Sequence, residues 1–343
     1  MDGITVVDLI WKDAMVEVGI DVSKAKLDCT LLLDVQTLRC RSKSVPNTAE
    51  GVKGLLQWIE RQSGCTPEQV RAALEPTGVY HEAAALALYE AGVRVVVVNP
   101  AQLRDFAKGH AVRTKTDAKD SLVLALCAAQ VKLVPWRPAP AEIRELRALM
   151  SRLDTVEGEL RSEFNRQEKA QIAADPQLVQ SSIAEAIVFW EVERKRLQQA
   201  IDEHIDRHPG LKSEQARLLS IPAVGEKTAN RMLCILHAGQ FRRAAQLAAY
   251  LGVVPVEHLS GTSIRGRARL SKAGNARIRA ALYMAAVTAI RHNPDVRALY
   301  QRLLSRGKAK MSALCAAMRK LVHICFGVFK NDQPYRPQIE QIP

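Results

Sequence analysis

The order in which apolar periodicity switches along residues 16–130 constrains this chain more than any other feature. Val16 to Val22 reads as a strand, and Lys26 to Leu33 and Leu38 to Val45 read as two more. Asn47-Thr48-Ala49-Glu50 then offers an N-cap at Asn47 with an acid three residues on, so a helix is expected to run to about Arg61. Val70 to Leu74 is a short strand closed by Glu75-Pro76-Thr77-Gly78. Tyr80 to Ala91 is helical, and Val93 to Val98 is a buried strand. Asn99-Pro100 opens another helix, and Thr116 caps a last one beginning near Asp117. Three strands followed by helix, strand, helix, strand and helix is the order of an RNase H-like α/β domain.

The rest of the chain reads as all-α. Leu146, Leu149, Leu153, Val156 and Leu160 repeat at helical spacing. After a break at Asp175-Pro176 the seam resumes with Ile183, Ile187, Trp190, Leu197, Ile201 and His204, with Arg194 as a polar member. Two antiparallel helices forming a coiled-coil arm are expected. From Pro209 onward the pattern is mostly helical, and Leu218 to Ala229, with Gly225 and Lys227 at its centre, resembles a helix-hairpin-helix whose exposed N–H groups meet a phosphate. The expected organisation is therefore residues 1–138 as an α/β domain, 139–208 as the arm and 209–343 as a helical domain.

Charge is distributed unevenly. Ser260 to Lys330 holds 15 Lys and Arg and one acid, Asp295, a net +14 that leaves −1 for all other residues. A solvated helix face mixes both signs, so a surface for a phosphate backbone explains this stretch better. The seven cysteines form no CxxC pair, which excludes a sequence-evident zinc site and argues against a disulfide framework. No run approaches the roughly 18 apolar residues of a membrane span, and Met1 to Asp13 lacks the basic n-region of a secretory signal. A cytoplasmic protein with an anionic partner and no membrane is expected.

Four carboxylates carry the candidate chemistry. Asp21 ends an apolar strand run, Glu75 follows a second strand, and Asp117 and Asp120 lie three apart at a helix start, on one face. Each alone reads as a structural acid. Together they supply hard oxygen donors from a sheet centre, a neighbouring strand end and a helix, as two divalent ions holding a phosphodiester require. Without a cation, four clustered carboxylates repel one another.

Gly19-Ile20-Asp21-Val22-Ser23-Lys24, Glu75-Pro76-Thr77-Gly78 and Lys115-Thr116-Asp117-Ala118-Lys119-Asp120 resemble the three parts of a RuvC-like DEDD site. Tyr250 to Pro255, Ser260-Gly261 and Leu270 to Asn275 resemble the serine-bearing domain of the same proteins. The ordered set is similar to the DEDD insertion-sequence transposases of the IS110 family, relatives of the Piv DNA invertase and bridge-RNA-guided recombinases. That resemblance implies Mg²⁺, with Mn²⁺ as a substitute, at Asp21, Glu75, Asp117 and Asp120. It implies Ser260 as a nucleophile forming a phosphoserine link, with Ser263 and Ser271 as competitors, since family members often carry two serines before the glycine where this chain has Leu259-Ser260-Gly261. Arg265, Arg267, Arg269, Lys272, Arg277 and Arg279 would grip phosphates, which positions nucleic acid without reading its sequence.

The implied partners are donor and target DNA, a non-coding bridge RNA that pairs with both, and further copies of the chain, as a dimer and as a tetramer in the synaptic complex. With four carboxylates before the arm and Ser260 after it, the arm's seam is expected to pair with a second chain and share the site. Two other readings remain: a metal-dependent nuclease or junction resolvase without a covalent intermediate, and a non-catalytic nucleic-acid scaffold.

Overall fold

The computed structural model describes residues 16–110, 117–257, 259–260, 264–265 and 268–338, without the side chains of 117–118, 259–260 and 264–265. The chain divides into two compact units, Met1–Pro138 and Ala139–Pro343.

The first unit is a five-stranded mixed sheet in the order β3-β2-β1-β4-β5, formed by β1 (Val16–Val22), β2 (Lys26–Asp34), β3 (Arg39–Pro46), β4 (Val70–Leu74) and β5 (Arg94–Val97). β1 runs antiparallel to β2 and parallel to β4, so the central strand carries both pairings. This is the RNase H-like order. Val18, Ile20 and Val22 face one side, where they pack with Leu55 and Ile59 of α1 (Ala49–Ser63) and Leu88 of α2 (Tyr80–Glu90). A fully buried Leu or Ile there contributes roughly 1.5–3 kcal/mol. The opposite side is covered by α3 (Pro100–Gly109) and α4 (Asp117–Gln130), whose Leu103, Val123, Leu124 and Cys127 meet Ala73 and Val96. Alternation along each strand thus feeds two cores.

The α1 start differs from the sequence expectation. Thr48 is the N-cap, accepting the Gly51 N–H at 3.1 Å, and Asn47 lies one residue outside the helix. Thr48 is extended and its short hydroxyl reaches the first-turn donors, which leaves the Asn47 amide for other partners.

In the second unit, α5 (Ala141–Ile172) and α6 (Gln177–Arg207) are joined across Asp175-Pro176. They lie antiparallel, as the hydrogen bond of 2.8 Å between His204 Nε2 and the Glu142 carbonyl at their far ends requires. Leu146, Met150, Leu153 and Val156 pack against Leu197, Ile201 and Ile205, so the seam anticipated from sequence is buried between two helices of the same chain. α7 (Pro209–Leu219), α8 (Glu226–Ala238), α9 (Ala244–Tyr250), α10 (Ala276–His292), α11 (Pro294–Ser305) and α12 (Lys310–Asn331) complete the unit. α8, α10 and α12 share a core through Leu233, Leu236, Leu282, Ala286, Leu321 and Val322. Among the described residues α12 alone is long and apolar enough to cross a membrane, and its Leu314, Leu321, Val322 and Cys325 lie in this core.

Two two-stranded pairs were not anticipated in this helical region: β6 (Pro255–Val256) with β9 (Arg269–Leu270), and β7 (Leu259–Ser260) with β8 (Ile264–Arg265). Strands of two residues are too short for periodicity to register.

After α12 the chain folds back on its own unit. The Tyr335 hydroxyl donates to Asp295 at 2.8 Å and to Asn293 at 3.1 Å, and the Tyr335 N–H donates to Ser220 Oγ at 2.8 Å. Asp295 also accepts from the Gln338 N–H and is 4% exposed.

Candidate functional site

The carboxylate site is organised by contact of α4 with β1. A Cβ on Gly19 would sit 1.8 Å from the Ser121 carbonyl oxygen and 2.5 Å from the Ala125 nitrogen, so only glycine lets the helix backbone lie on the strand. A hydroxyl hydrogen bond of 2.7 Å between Ser121 and Thr30 of β2 fixes the same turn of helix, and Thr30 is the register partner of Gly19. Asp120 directly precedes Ser121, and Asp117 opens α4. Gly19 and Asp21, two residues apart, share the face that α4 covers. Leu74 pairs with Ile20, so Asp21 and Glu75 leave the parallel pair as neighbours. The backbone therefore brings Asp21, Glu75 and the α4 acids to one side of the sheet.

Sequence reasoning passed over a fifth acid there. Asp28 is the register partner of Asp21, on the same face, and its carboxylate accepts a 2.8 Å ion pair from Lys26. Like charges opposed across a sheet are destabilising, so a lysine two residues along the strand is a natural counterweight. The available signal was the tight turn closed by the Ser23 N–H to the Lys26 carbonyl at 3.0 Å, which sets Asp21 opposite Asp28. At the other end of this face Glu17 is paired with Arg71 of β4, and burial raises its carboxyl above the ordinary value against the lowering by Arg71.

In the second unit, Ser260 lies in β7 with Ile264 as register partner. The side chains of Ser260 and Arg265, and the whole of Gly261, Ser263 and Arg267, lie outside the described residues. The segment behind this hairpin is held by a crossing of two left-handed glycines. A Cβ on Gly252 would meet the Ala273 carbonyl at 2.1 Å, and one on Gly274 would meet the Tyr250 carbonyl at 2.3 Å. Asn275 then caps α10, accepting the Arg277 N–H at 2.8 Å.

The basic residues divide by what they touch. Arg269, Lys272 and Arg277 are exposed. Arg279 is half-buried and donates to the Ala273 and Gly274 carbonyls at 2.5 and 2.8 Å, so part of its guanidinium serves the turn. Gly225 is the N-cap of α8, and Lys227 pairs with Glu157 of α5, beside the pair of Arg231 with Asp154. Ser271 is partly buried, and its N–H donates to the Val254 carbonyl at 3.0 Å.

Residues 18–170 match the transposase family of the IS110 DEDD type, and residues 215–301 match the family described as "Transposase IS116/IS110/IS902 family". The chain carries the IS110-family DEDD transposase domains. It is 29% identical over 326 residues to the pilin gene-inverting protein of Moraxella lacunata, covering 94% of this chain and 98% of that one. It is also 29% identical over 163 residues to the IS110 43.6 kDa protein of Streptomyces coelicolor, covering 47% and 39% respectively. Among solved structures, RuvC of Thermus thermophilus aligns with 35% of this chain and 99% of its own, at 18% identity and a TM-score of 0.28.

These domains make this protein a transposase or DNA invertase, an enzyme that cuts and rejoins DNA, of a class that uses divalent metal ions. Its own residues suit such an ion in kind. Asp21, Glu75 and Asp120 are partly buried hard-oxygen donors on adjacent elements of one sheet face. Among the described residues no three His, Cys, Asp or Glu side chains converge to hold a metal, so the described trio is not a closed set. Asp117 opens α4 one helical turn before Asp120, and its side chain lies outside the described residues.

Proposed function

We propose that this transposase recombines DNA through a serine nucleophile, Ser260, with Asp21, Glu75, Asp117 and Asp120 holding Mg²⁺, for which Mn²⁺ can substitute. The bound ion would supply positive charge against the phosphodiester and lower the cost of ionising a hydroxyl. The Ser260 hydroxyl attacks a DNA phosphorus, a Ser–O–P bond forms, the bond to one deoxyribose oxygen breaks, and that oxygen leaves with the serine's proton. A DNA hydroxyl from another strand then attacks the phosphoserine, releasing Ser260 and conserving the phosphodiester bond energy. Arg265, Arg267, Arg269, Lys272, Arg277 and Arg279 hold phosphates around the serine, and the turn at Gly225 and Lys227 holds another as a helix-hairpin-helix.

The single observation that carries this reading is that one chain matches both the DEDD transposase family at 18–170 and the IS116/IS110/IS902 transposase family at 215–301, the stretch that contains Ser260. The net +14 between Ser260 and Lys330 supports a nucleic-acid surface. Sequence choice is delegated to a bridge RNA pairing with donor and target DNA, while the protein reads backbone and shape. The chain acts in a prokaryotic cytoplasm as a homo-oligomer that shares sites between copies. Val188, Phe189 and Val192 on α6 are 61%, 59% and 63% exposed, which gives apolar surface to a second copy.

The test is adduct trapping. Protein, cognate DNA, RNA and Mg²⁺ yield a covalent protein–DNA species that Ser260→Ala does not form. Normal recombination by Ser260→Ala rejects the nucleophile. Strand hydrolysis without any adduct indicates a junction nuclease instead.

A further inference from the structure

We infer that Asn47 is a positioning residue for the carboxylate site, tying the turn that follows Asp21 to the loop that carries Glu75. The inference rests on the carboxylate reading above and goes beyond it by assigning a residue outside the DEDD motif.

The Asn47 Nδ2 amide donates one hydrogen to the Ser23 carbonyl at 2.9 Å and the other to the Tyr80 carbonyl at 3.1 Å. Ser23 lies two residues after Asp21, in the turn between β1 and β2. Tyr80 opens α2, separated from the Glu75-Pro76-Thr77-Gly78 segment only by the N-cap residue Val79. That segment is itself tightly wound: Thr77 Oγ1 donates to the Glu75 carbonyl at 3.1 Å, and the Tyr80 N–H donates to the Thr77 carbonyl at 3.1 Å. Asn47 is anchored in turn by its own N–H, which donates to the Ala25 carbonyl at 3.0 Å. An unbroken hydrogen-bonded path thus runs from the backbone of Glu75 through Thr77, Tyr80 and Asn47 to the turn beside Asp21.

The chemistry of the side chain suits this task. A carboxamide nitrogen carries two N–H donors, and here they meet two carbonyls belonging to separate loops. Aspartate in its place would set oxygen against both carbonyls, and serine has one donor only. Helix capping does not account for the residue, because Thr48 does that work. Sheet pairing holds Asp21 within β1, opposite Asp28, but ends at Leu74 on β4, so Glu75 depends on its loop and on whatever ties that loop to the turn after Asp21. Partners one step removed from a metal ligand typically change metal affinity 10–100-fold when lost.

The experiment titrates Mn²⁺ into the full chain, without nucleic acid, and follows amide hydrogen exchange of the two loops. Asn47→Ala is expected to weaken Mn²⁺ binding about tenfold and to speed exchange at 23–26 and 77–80 together, with the second unit unaffected. Asn47→Gln keeps both donors on a longer arm and recovers part of the affinity. Wild-type Mn²⁺ affinity in folded Asn47→Ala, beside weakened binding in Asp21→Asn, overturns the positioning role and leaves the carboxylate site standing. Wild-type affinity in Asp21→Asn overturns the carboxylate reading itself, and the inference with it. Should Asn47→Ala fail to fold, Asn47→Gln decides: weaker binding supports the role, and unchanged binding rejects it.

Discussion

Replacing Gly19 by alanine should separate the two halves of the carboxylate site without touching any carboxylate. The added Cβ would lie 1.8 Å from the Ser121 carbonyl and 2.5 Å from the Ala125 nitrogen, where ordinary contact begins at 3.4 Å. Both obstacles are helix backbone, so no side-chain rotation relieves the clash. α4 must therefore withdraw by about 1.5 Å, a shift of the size at which misplacement costs on the order of 100-fold in rate. Overpacking of this kind costs roughly 1–3 kcal/mol. Separating Ser121 from Thr30, now 2.7 Å apart, adds about 1 kcal/mol. A loss of about 2–4 kcal/mol leaves a marginal but folded domain and lowers Tm by roughly 10 °C. The assays are thermal unfolding and DNA strand cleavage. Gly54→Ala in α1 is the control, since nothing lies within 4 Å of its Cβ position; it should be neutral or stabilise by up to about 1 kcal/mol. Wild-type melting and cleavage in Gly19→Ala would refute the argument that this contact seats Asp120.

Arg277 and Arg279 should separate in a salt titration of DNA binding. Arg277→Ala reduces the slope of log K against log salt by about 0.9, whereas Arg279→Ala chiefly destabilises the Ala273–Gly274 turn; equal slope changes with equal melting would contradict that division. His323 should contribute an acid-sensitive part of stability. Burial first, then Arg319 and Lys320, hold its imidazole below the ordinary 6.5. The unfolded chain therefore takes up this proton at higher pH than the folded one, and stability is lost as pH falls below 6.5 toward the folded value. In His323→Gln, Tm should fall less over that window, and an unchanged profile would reject the assignment.

How much could be read from sequence depended on the length over which a physical signal repeats. The RNase H-like strand order was legible because β1, β2 and β4 keep their period through Val16–Val22, Lys26–Asp34 and Val70–Leu74. The seam of α5 and α6 was legible because 32 and 31 residues give many turns of helical spacing. That this seam is buried within one chain was not, since a heptad pattern does not name its partner. Capping is a contest between neighbours, and Asn47-Thr48 presented two capable residues of which the geometry selects the second. Asp28 was missed because it sits in a strand among apolar residues, and only register sets it against Asp21. The division of labour between Arg277 and Arg279 follows from which carbonyls face α10, which composition does not record.

The burial of Asp295 has a kinetic consequence. It is the only acid between Ser260 and Lys330, and it is turned inward under Tyr335 and Gln338. An incoming polyanion consequently meets a stretch of net +14 whose one carboxylate is buried. A positive charge of that size raises the encounter rate, most at low ionic strength. The C-terminal tail covers the carboxylate, so an arriving phosphate meets it only through its share of the net charge and never at contact.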